Sequence, residues 1–265
     1  MNNDAIGVFD SGVGGLSIFA ELNRILPNED FLYFGDTANL PYGNKTKEEL
    51  VEITKNIFDY FRTRNVKAVV MACNTTSAVT YDIIRNEYDF KIYPLVQNVS
   101  ESIASEGWSK IGVFATKATI NSHAYKRELQ FYNPNTEVFE VACPEWVQIV
   151  ENSLMYEISS IGNIKLYINK MLEKNPEKII LGCTHYPYLM EILSRFASAD
   201  IFINPAKYFA EYIYNDLNNS GLLNNERNYE PKFYVSANSS QFKQTSKLFY
   251  DVDVVSEITL EKSLV

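Results

Sequence analysis

The chain has 265 residues, of which 46% are hydrophobic and 22% are charged, so it can bury one large core or two smaller ones. Its net charge of −9 argues against a function that neutralises nucleic-acid phosphates or attaches to an anionic membrane. The sequence contains no run of about 18 apolar residues, so no transmembrane helix is predicted. Its three cysteines are too few for a disulfide framework.

These features, and a chain that begins Met1-Asn2-Asn3-Asp4 without the basic and apolar segments of a signal peptide, predict a reducing, cytoplasmic location.

Apolar runs alternate with amphipathic patterns along the chain. The runs predict about ten strands, at residues 6–9, 31–34, 66–72, 92–96, 111–115, 138–142, 178–181, 201–203, 232–235 and 252–255. Apolar residues at helical spacing predict helices at residues 18–26, 50–61, from 75, 120–131, 164–172, 188–196 and 209–217, with another between the last two strands. Residues 218–229 contain several asparagines and predict an exposed loop.

Alternation of strands and helices is typical of parallel sheets covered by helices. Ten strands are many for one small sheet, so the pattern predicts two α/β domains. In such sheets, ligands bind at the carboxyl ends of the strands. Four strand ends carry polar residues, in the segments Asp10-Ser11-Gly12-Val13-Gly14-Gly15, Gly35-Asp36-Thr37 with Pro41-Tyr42-Gly43, Cys73-Asn74-Thr75-Thr76, and Cys183-Thr184-His185.

The two cysteine segments are alike. Cys73 and Cys183 each follow an apolar strand and a small residue, and each precedes a polar residue that opens a helix. The positive end of a helix dipole favours the reactive thiolate. Buried structural thiols are the alternative interpretation, but two matched strand-end positions favour a reactive pair. Cys143 lacks this context and is predicted to be structural.

Three other interpretations compete. Cys183 and His185 are two residues apart and lack a partner pair with zinc-finger spacing, so no metal site is predicted. A dinucleotide fingerprint is nearly matched from Gly12 to Ser17, but Asp10 stands where a pyrophosphate would approach. A thiol–imidazole hydrolase would leave Cys73 without a role, and residues two apart rarely form a linear thiol–imidazole pair.

Two thiols facing one ligand from opposite domains suit the inversion of a carbon centre. One thiolate removes a proton while the opposite thiol returns one, and a modest lowering of the thiol pKa supplies the base. Asp10 near Cys73 and His185 near Cys183 are candidates for moving or positioning protons. The predicted pocket presents neutral donors suited to carboxylates, contributed by Ser11, Tyr42, Gly43, Asn74, Thr75 and Thr184.

Five motifs, in this order, closely resemble those of the glutamate racemases of the aspartate/glutamate racemase superfamily. They are Gly7-Val8-Phe9-Asp10-Ser11-Gly12-Val13-Gly14-Gly15, Tyr33-Phe34-Gly35-Asp36-Thr37, Pro41-Tyr42-Gly43, Ala72-Cys73-Asn74-Thr75, and Leu181-Gly182-Cys183-Thr184-His185-Tyr186-Pro187. The resemblance covers roughly residues 5 to 215. It implies interconversion of L- and D-glutamate without cofactor or metal, and D-glutamate that feeds peptidoglycan precursors.

The resemblance also implies residue roles. The family's two catalytic cysteines match Cys73 and Cys183, and its acidic and histidine helpers match Asp10, Asp36, Glu151 and His185. Asp10 and His185 are also counted among the substrate-binding residues. Viewed alone, Glu151 is equally well a solvated residue on a helix face, and Asp36 a turn residue.

The implied fold has two α/β domains facing each other across a central active-site cleft, with residues 1–97 and 208–265 in the first and 98–207 in the second. A homodimer is expected. Two alternatives remain at this point, an aspartate racemase of the same superfamily and a non-catalytic amino-acid-binding protein on the same fold.

Overall fold

A computed structural model describes residues 4–260. Residues 1–3 and 261–265, which belong to the predicted first domain, lie outside the described residues. The strands are β1 (Ile6–Asp10), β2 (Phe31–Gly35), β3 (Ala68–Met71), β4 (Lys91–Pro94), β5 (Lys110–Ala115), β6 (Glu137–Ala142), β7 (Lys178–Gly182), β8 (Phe202–Ile203), β9 (Lys232–Val235) and β10 (Val255–Glu257).

The helices lie between the strands. They are α1 (Leu16–Ile25), α2 (Lys47–Thr63), α3 (Asn74–Ile84), α4 (Leu95–Ala104), α5 (Lys117–Ser122), α6 (Ala124–Tyr132), α7 (Trp146–Glu151), α8 (Ile158–Leu172), α9 (Met190–Leu193), α10 (Pro205–Asn219) and α11 (Ser239–Ser246). Short 3-10 helices span Thr37–Asn39, Tyr42–Asn44, Tyr186–Leu189 and Ala199–Ile201.

The strands form two sheets. One has six strands in the order β10-β9-β2-β1-β3-β4, and the other has four in the order β6-β5-β7-β8. Every strand pairing within the described residues is parallel. The predicted fold class, two α/β units with parallel sheets, is therefore confirmed. We call the six-stranded sheet with its helices the first lobe, and the four-stranded sheet with its helices the second lobe.

Central strand β1 shows why the sequence takes this form. All of its side chains are buried, as expected for a strand covered by helices on both faces. Its register pairs Asp10 with Gly35 of β2, and Phe9 with Met71 of β3. In the second lobe, Ala115 pairs with Gly182. Each register brings neighbouring carboxyl ends to one edge of its sheet, where the polar segments follow.

Several predicted elements are wrong in detail. The strand expected at 92–96 ends at Pro94, and Leu95 begins helix α4, whose Val96, Val99 and Ile103 form a buried stripe at helical spacing. The helix expected at 120–131 is two helices, because His123 adopts a left-handed conformation with φ of 51°. The helix expected at 188–196 is a 3-10 helix followed by α9, and the last strand is three residues later than expected.

The loop at 218–229 is only partly exposed. Asn224 is buried, its backbone N–H donates to Glu29 Oε1 at 2.8 Å, and its side chain accepts from Lys67 Nζ at 2.8 Å. The predicted exposure was wrong here because the loop's own polar groups pair with a buried ion pair between Lys67 and Glu29.

The chain passes between the two sheets through helices. Strands of the first sheet lie between residues 6 and 94 and again between 232 and 257, while those of the second lie between 110 and 203. The predicted boundaries at 97/98 and 207/208 fall within α4 and α10, which pack against each other. The division of the chain at these two positions stays a prediction.

Candidate active site

A small cavity lies between the carboxyl ends of the two sheets. Its lining is contributed by Ser11, Leu40, Tyr42, Gly43, Cys73, Asn74, Thr75, Thr116, Val147, Cys183, Thr184 and His185. The structure therefore brings together both cysteines and every predicted substrate-binding residue except Asp10. Asp10, Asp36 and Glu151 stand behind the lining and contact it through hydrogen bonds. The cavity volume is about 10 Å³, room for about one water molecule.

Cys73 occupies the N-cap position of helix α3, directly after β3. Burial raises the pKa of its thiol to about 12, and the nearby Asp10 carboxylate adds to the effect. The sequence led us to expect a lowered pKa from the helix dipole. That expectation was wrong, because loss of solvation around a buried thiolate outweighs the attraction of the helix end.

Cys183 has a different set of neighbours. Its Sγ lies 3.7 Å from His185 Nδ1, and His185 Nε2 lies 2.6 Å from Glu151 Oε1. Burial alone lowers the pKa of His185, but the hydrogen bonds with Cys183 and Glu151 reverse this and raise the pKa well above its ordinary value. The thiol–imidazole pair judged unfavourable from spacing is therefore present, because the chain turns sharply after β7.

Glu151 is the last residue of α7, a helix of the second lobe. Its carboxylate accepts from a ring nitrogen of His185, and its own side chain is largely buried. The solvated helix face considered from the sequence is thus not its environment. A carboxylate in this position holds the imidazole in one orientation and stabilises its protonated form.

Asp10 ends β1 and is fully buried. Its Oδ2 accepts from the backbone N–H groups of Gly12 and Gly15 at 3.0 and 2.9 Å, and its Oδ1 accepts from Thr184 Oγ1 at 3.3 Å. Burial raises its pKa, whereas the positive charge of His185 and the two amides oppose that rise. The hydrogen bond from Thr184 to Asp10 joins the first lobe to the second beside Cys183.

The glycine-rich loop after β1 is explained by the same contacts. A Cβ on Gly14 would lie 2.5 Å from Thr184 Oγ1, and one on Gly15 would lie 2.4 Å from Asp10 Cβ. The loop amides at Gly12 and Gly15 are occupied by the Asp10 carboxylate. Gly14 therefore allows close packing of the two lobes, and Gly15 allows close packing against Asp10 within the first lobe. Because the loop amides are occupied, the dinucleotide interpretation loses the free amides that a pyrophosphate requires.

Asp36 follows β2 and lies outside the cavity lining. Its Oδ2 accepts from Tyr42 Oη at 2.5 Å, and its Oδ1 accepts from Ser236 Oγ at 2.7 Å. Both oxygens also accept from Asn39 Nδ2. Tyr42, by contrast, does line the cavity. Asp36 thus contacts the cavity wall through the phenol of Tyr42, and it links Tyr42 to Ser236 at the end of β9.

Leu40, Thr116 and Val147 line the cavity but were not predicted. Thr116 Oγ1 lies 2.9 Å from Thr75 Oγ1 and 3.0 Å from Thr119 Oγ1, so three buried hydroxyls form a hydrogen-bonded cluster across the lobes. Thr116 directly follows the carboxyl end of β5. The expectation that ligands bind at the carboxyl ends of parallel strands therefore applies to Thr116 as well. Leu40 and Val147 are apolar and gave no sequence signal.

Within residues 4–260, no group of three or more His, Cys, Asp and Glu side chains is arranged to hold a metal ion. None of the helices in this range combines the length and hydrophobicity needed to cross a membrane.

Known proteins resemble this chain along nearly all of its length. A sequence model of the Asp/Glu/hydantoin racemase family matches residues 6–211. Glutamate racemase from Carboxydothermus hydrogenoformans is 36% identical over 258 residues, which are 97% of this chain and 96% of that protein. Glutamate racemase from Trichormus variabilis is 37% identical over 241 residues, 91% of this chain and 82% of that protein. The crystal structure of glutamate racemase from Francisella tularensis in complex with D-glutamate superposes with a TM-score of 0.91 at 33% identity, covering 98% of this chain and 99% of that one.

Proposed function

Since the chain belongs to the Asp/Glu/hydantoin racemase family, we propose that it interconverts L- and D-glutamate with two cysteines. One observation carries the proposal. Cys73 comes from the first lobe and Cys183 from the second, and both line one cavity. The relatives described above are named glutamate racemases, and one was crystallised with D-glutamate.

In the proposed reaction, the thiolate of one cysteine takes the α-proton and leaves the electron pair on the α-carbon. The thiol of the other cysteine then donates its proton to the opposite side of that carbon and becomes a thiolate. The enantiomers exchange these two roles. No electron leaves the substrate and no co-reactant is consumed, so the residues of this chain suffice for the proton balance.

His185 and Glu151 support the Cys183 side. A protonated imidazole stabilises the Cys183 thiolate and can return a proton to that sulfur between turnovers. Glu151 keeps the imidazole charged and oriented. Asp10 lies between the two halves of the site: its carboxylate is near Cys73 and accepts a hydrogen bond from Thr184. Asp36 acts as a positioning residue, because its carboxylate contacts Tyr42 and not the cavity.

Neutral donors suit the two carboxylates of glutamate. Ser11, Asn74, Thr75 and Thr184 contribute hydroxyl and amide groups, and Asn74 and Thr75 lie in the first turn of α3, where the helix dipole favours anions. The cavity of about 10 Å³ is smaller than glutamate. Because its walls come from both lobes, we infer that the lobes part to admit substrate and close around it.

We further propose that D-glutamate made by this protein supplies peptidoglycan synthesis, that the protein works in the cytoplasm without a cofactor, and that it is a homodimer. These proposals rest on the family's typical biology. Depletion of the protein in its host, with growth restored by D-glutamate, tests the first. Light scattering during gel filtration tests the dimer.

Circular dichroism of L-glutamate in heavy water, with purified protein and no added cofactor, tests the reaction. We expect the optical signal to decay to zero while the product gains deuterium at the α-carbon. A signal that persists while glutamate still binds would leave a non-catalytic binding protein. Faster decay with L-aspartate than with L-glutamate would identify an aspartate racemase instead.

A further inference from the structure

One buried side-chain amide in the cavity wall has an unpaired N–H group. Asn74 is 2% exposed and lines the cavity beside Cys73. Its Oδ1 accepts a hydrogen bond from Tyr125 Oη at 2.6 Å, while its Nδ2 has no hydrogen-bond partner among residues 4–260. Buried donors are almost always paired, and an unpaired one is costly. An unpaired donor in the wall of a cavity therefore points to a ligand acceptor that completes it.

The orientation of this amide decides what it offers. Turned one way, Asn74 presents an N–H donor to the cavity, which suits a carboxylate. Turned the other way, it presents an oxygen, which repels a carboxylate. The Tyr125 phenol is fully buried and burial raises its pKa, so it stays a neutral donor. In the structure this hydroxyl donates to Oδ1, and that bond holds the orientation in which Nδ2 is free.

Tyr125 also connects the two cysteine segments. It lies in the first turn of α6, which packs against β6 of the second lobe. A Cβ on Gly182 would lie 3.0 Å from Tyr125 Cε2, so the ring rests against the residue that precedes Cys183. Its hydroxyl reaches the residue that follows Cys73. The left-handed residue His123, which separates α5 from α6, sets the start of the helix that carries this ring.

We propose that Tyr125 is a positioning residue for the substrate: its hydroxyl fixes the Asn74 amide so that the free N–H binds a carboxylate of glutamate. The inference rests on the proposed function and deepens it. Neither the sequence motifs nor the cavity lining includes Tyr125. Its effect is on binding, because its hydroxyl bonds to the Asn74 amide, a predicted substrate-binding group.

The test is Tyr125→Phe, which keeps the ring against Gly182 and removes only the hydroxyl. We expect KM for both enantiomers of glutamate to rise about threefold to tenfold, the range for losing one hydrogen bond, with kcat within about twofold of wild type. The dissociation constant of L-glutamate, measured by calorimetry in a Cys73→Ala background that is expected not to racemise it, should rise by the same factor.

Tyr93→Phe is the matched control. Tyr93 is as buried as Tyr125, and its hydroxyl bonds to Asp216, away from the cavity. We expect KM and kcat to be unchanged there. Asn74→Ala should raise KM, and adding Tyr125→Phe to it should raise KM no further, because the hydroxyl then has no amide to orient.

A wild-type KM in Tyr125→Phe, or an equal rise with and without Asn74, would overturn the role of Tyr125. Neither result affects the proposed reaction, which fails only if the wild-type protein does not racemise glutamate. A purely structural role for the Tyr125 hydroxyl would instead lower the melting temperature of Tyr125→Phe and leave its KM unchanged.

Discussion

The two cysteine sites are similar in sequence and different in their proton environment. Each thiol follows a buried strand and begins a turn into a helix. Cys73 has the Asp10 carboxylate as a charged neighbour and a raised pKa, whereas Cys183 is hydrogen-bonded to a protonatable imidazole. The difference comes from the residue two positions later, which is Thr75 in one segment and His185 in the other.

A matched sequence context therefore does not give a matched charge environment. The two thiols are almost equally buried, at 5% and 6% exposed, so the sites differ in the charged groups beside each sulfur. The Cys183 site carries its own positive charge. At Cys73, burial and the Asp10 carboxylate raise the pKa of the thiol, so an ammonium group brought in by an amino-acid substrate would favour its thiolate.

Removing either sulfur should abolish racemisation. Cys73→Ala and Cys183→Ala should each lower kcat/KM by at least about a thousandfold, since each variant loses an acid in one direction and a base in the other. Each variant should still exchange the α-proton of one enantiomer with heavy water, and the two variants should act on opposite enantiomers. NMR of the α-proton measures this exchange.

Cys143→Ala is the matched control for both. Cys143 is buried, and its sulfur contacts only the Val141 carbonyl at 3.7 Å among the hydrogen-bond partners described. We expect full activity from this variant. Appreciable racemisation by either of the other alanine variants would contradict the two-thiol reaction.

Removing the imidazole should affect only one of the two sites. His185→Asn should lower kcat/KM about a hundredfold, equally for both enantiomers because L- and D-glutamate have the same free energy. The asymmetry should appear in the α-deuterium isotope effect, which should grow only for the enantiomer whose proton goes to Cys183. His123→Asn, at the other histidine of the chain, which is exposed, should leave both quantities unchanged. Equal growth for both enantiomers would mean that His185 serves the two thiols alike.

The raised pKa of Cys73 predicts a distinct pH dependence of alkylation. A thiol with a pKa raised to about 12 stays neutral at pH 8 and gains thiolate steadily above it. Iodoacetamide should therefore modify Cys73 at least about tenfold more slowly at pH 8 than an ordinary thiol, with a rate still rising at pH 10. Mass spectrometry of the Cys73 peptide in Cys183→Ala measures the rate, and the same protein unfolded in urea is the control. A plateau near pH 9 would show that the site does not suppress ionisation.

Local sequence patterns predicted the strand ends and the small polar residues that follow them. They succeeded because the direction of a parallel strand fixes which edge of the sheet its next residues occupy. They missed Thr116, although it directly follows a predicted strand, and the break at His123, where one residue's left-handed conformation redirects a helix. Contacts such as Tyr125 with Asn74 join separate helices, so no local pattern encodes them.

The smallest expected effect concerns a residue far from both sulfurs in sequence. Ser236, at the end of β9, donates to Asp36 Oδ1, and Asp36 in turn accepts from Tyr42 in the cavity wall. Ser236→Ala removes one of the bonds that orient Asp36, so kcat/KM should fall about threefold, the effect of one hydrogen bond. Ser256→Ala on neighbouring strand β10, an exposed position, is the matched control and should retain full activity. Because Asp36 contacts the wall residue Tyr42 and does not line the cavity, we expect the isotope effects of Ser236→Ala to remain balanced between enantiomers, unlike those of His185→Asn. An imbalance would mean that Asp36 acts on one thiol directly, and would move it from the pocket wall into the proton path.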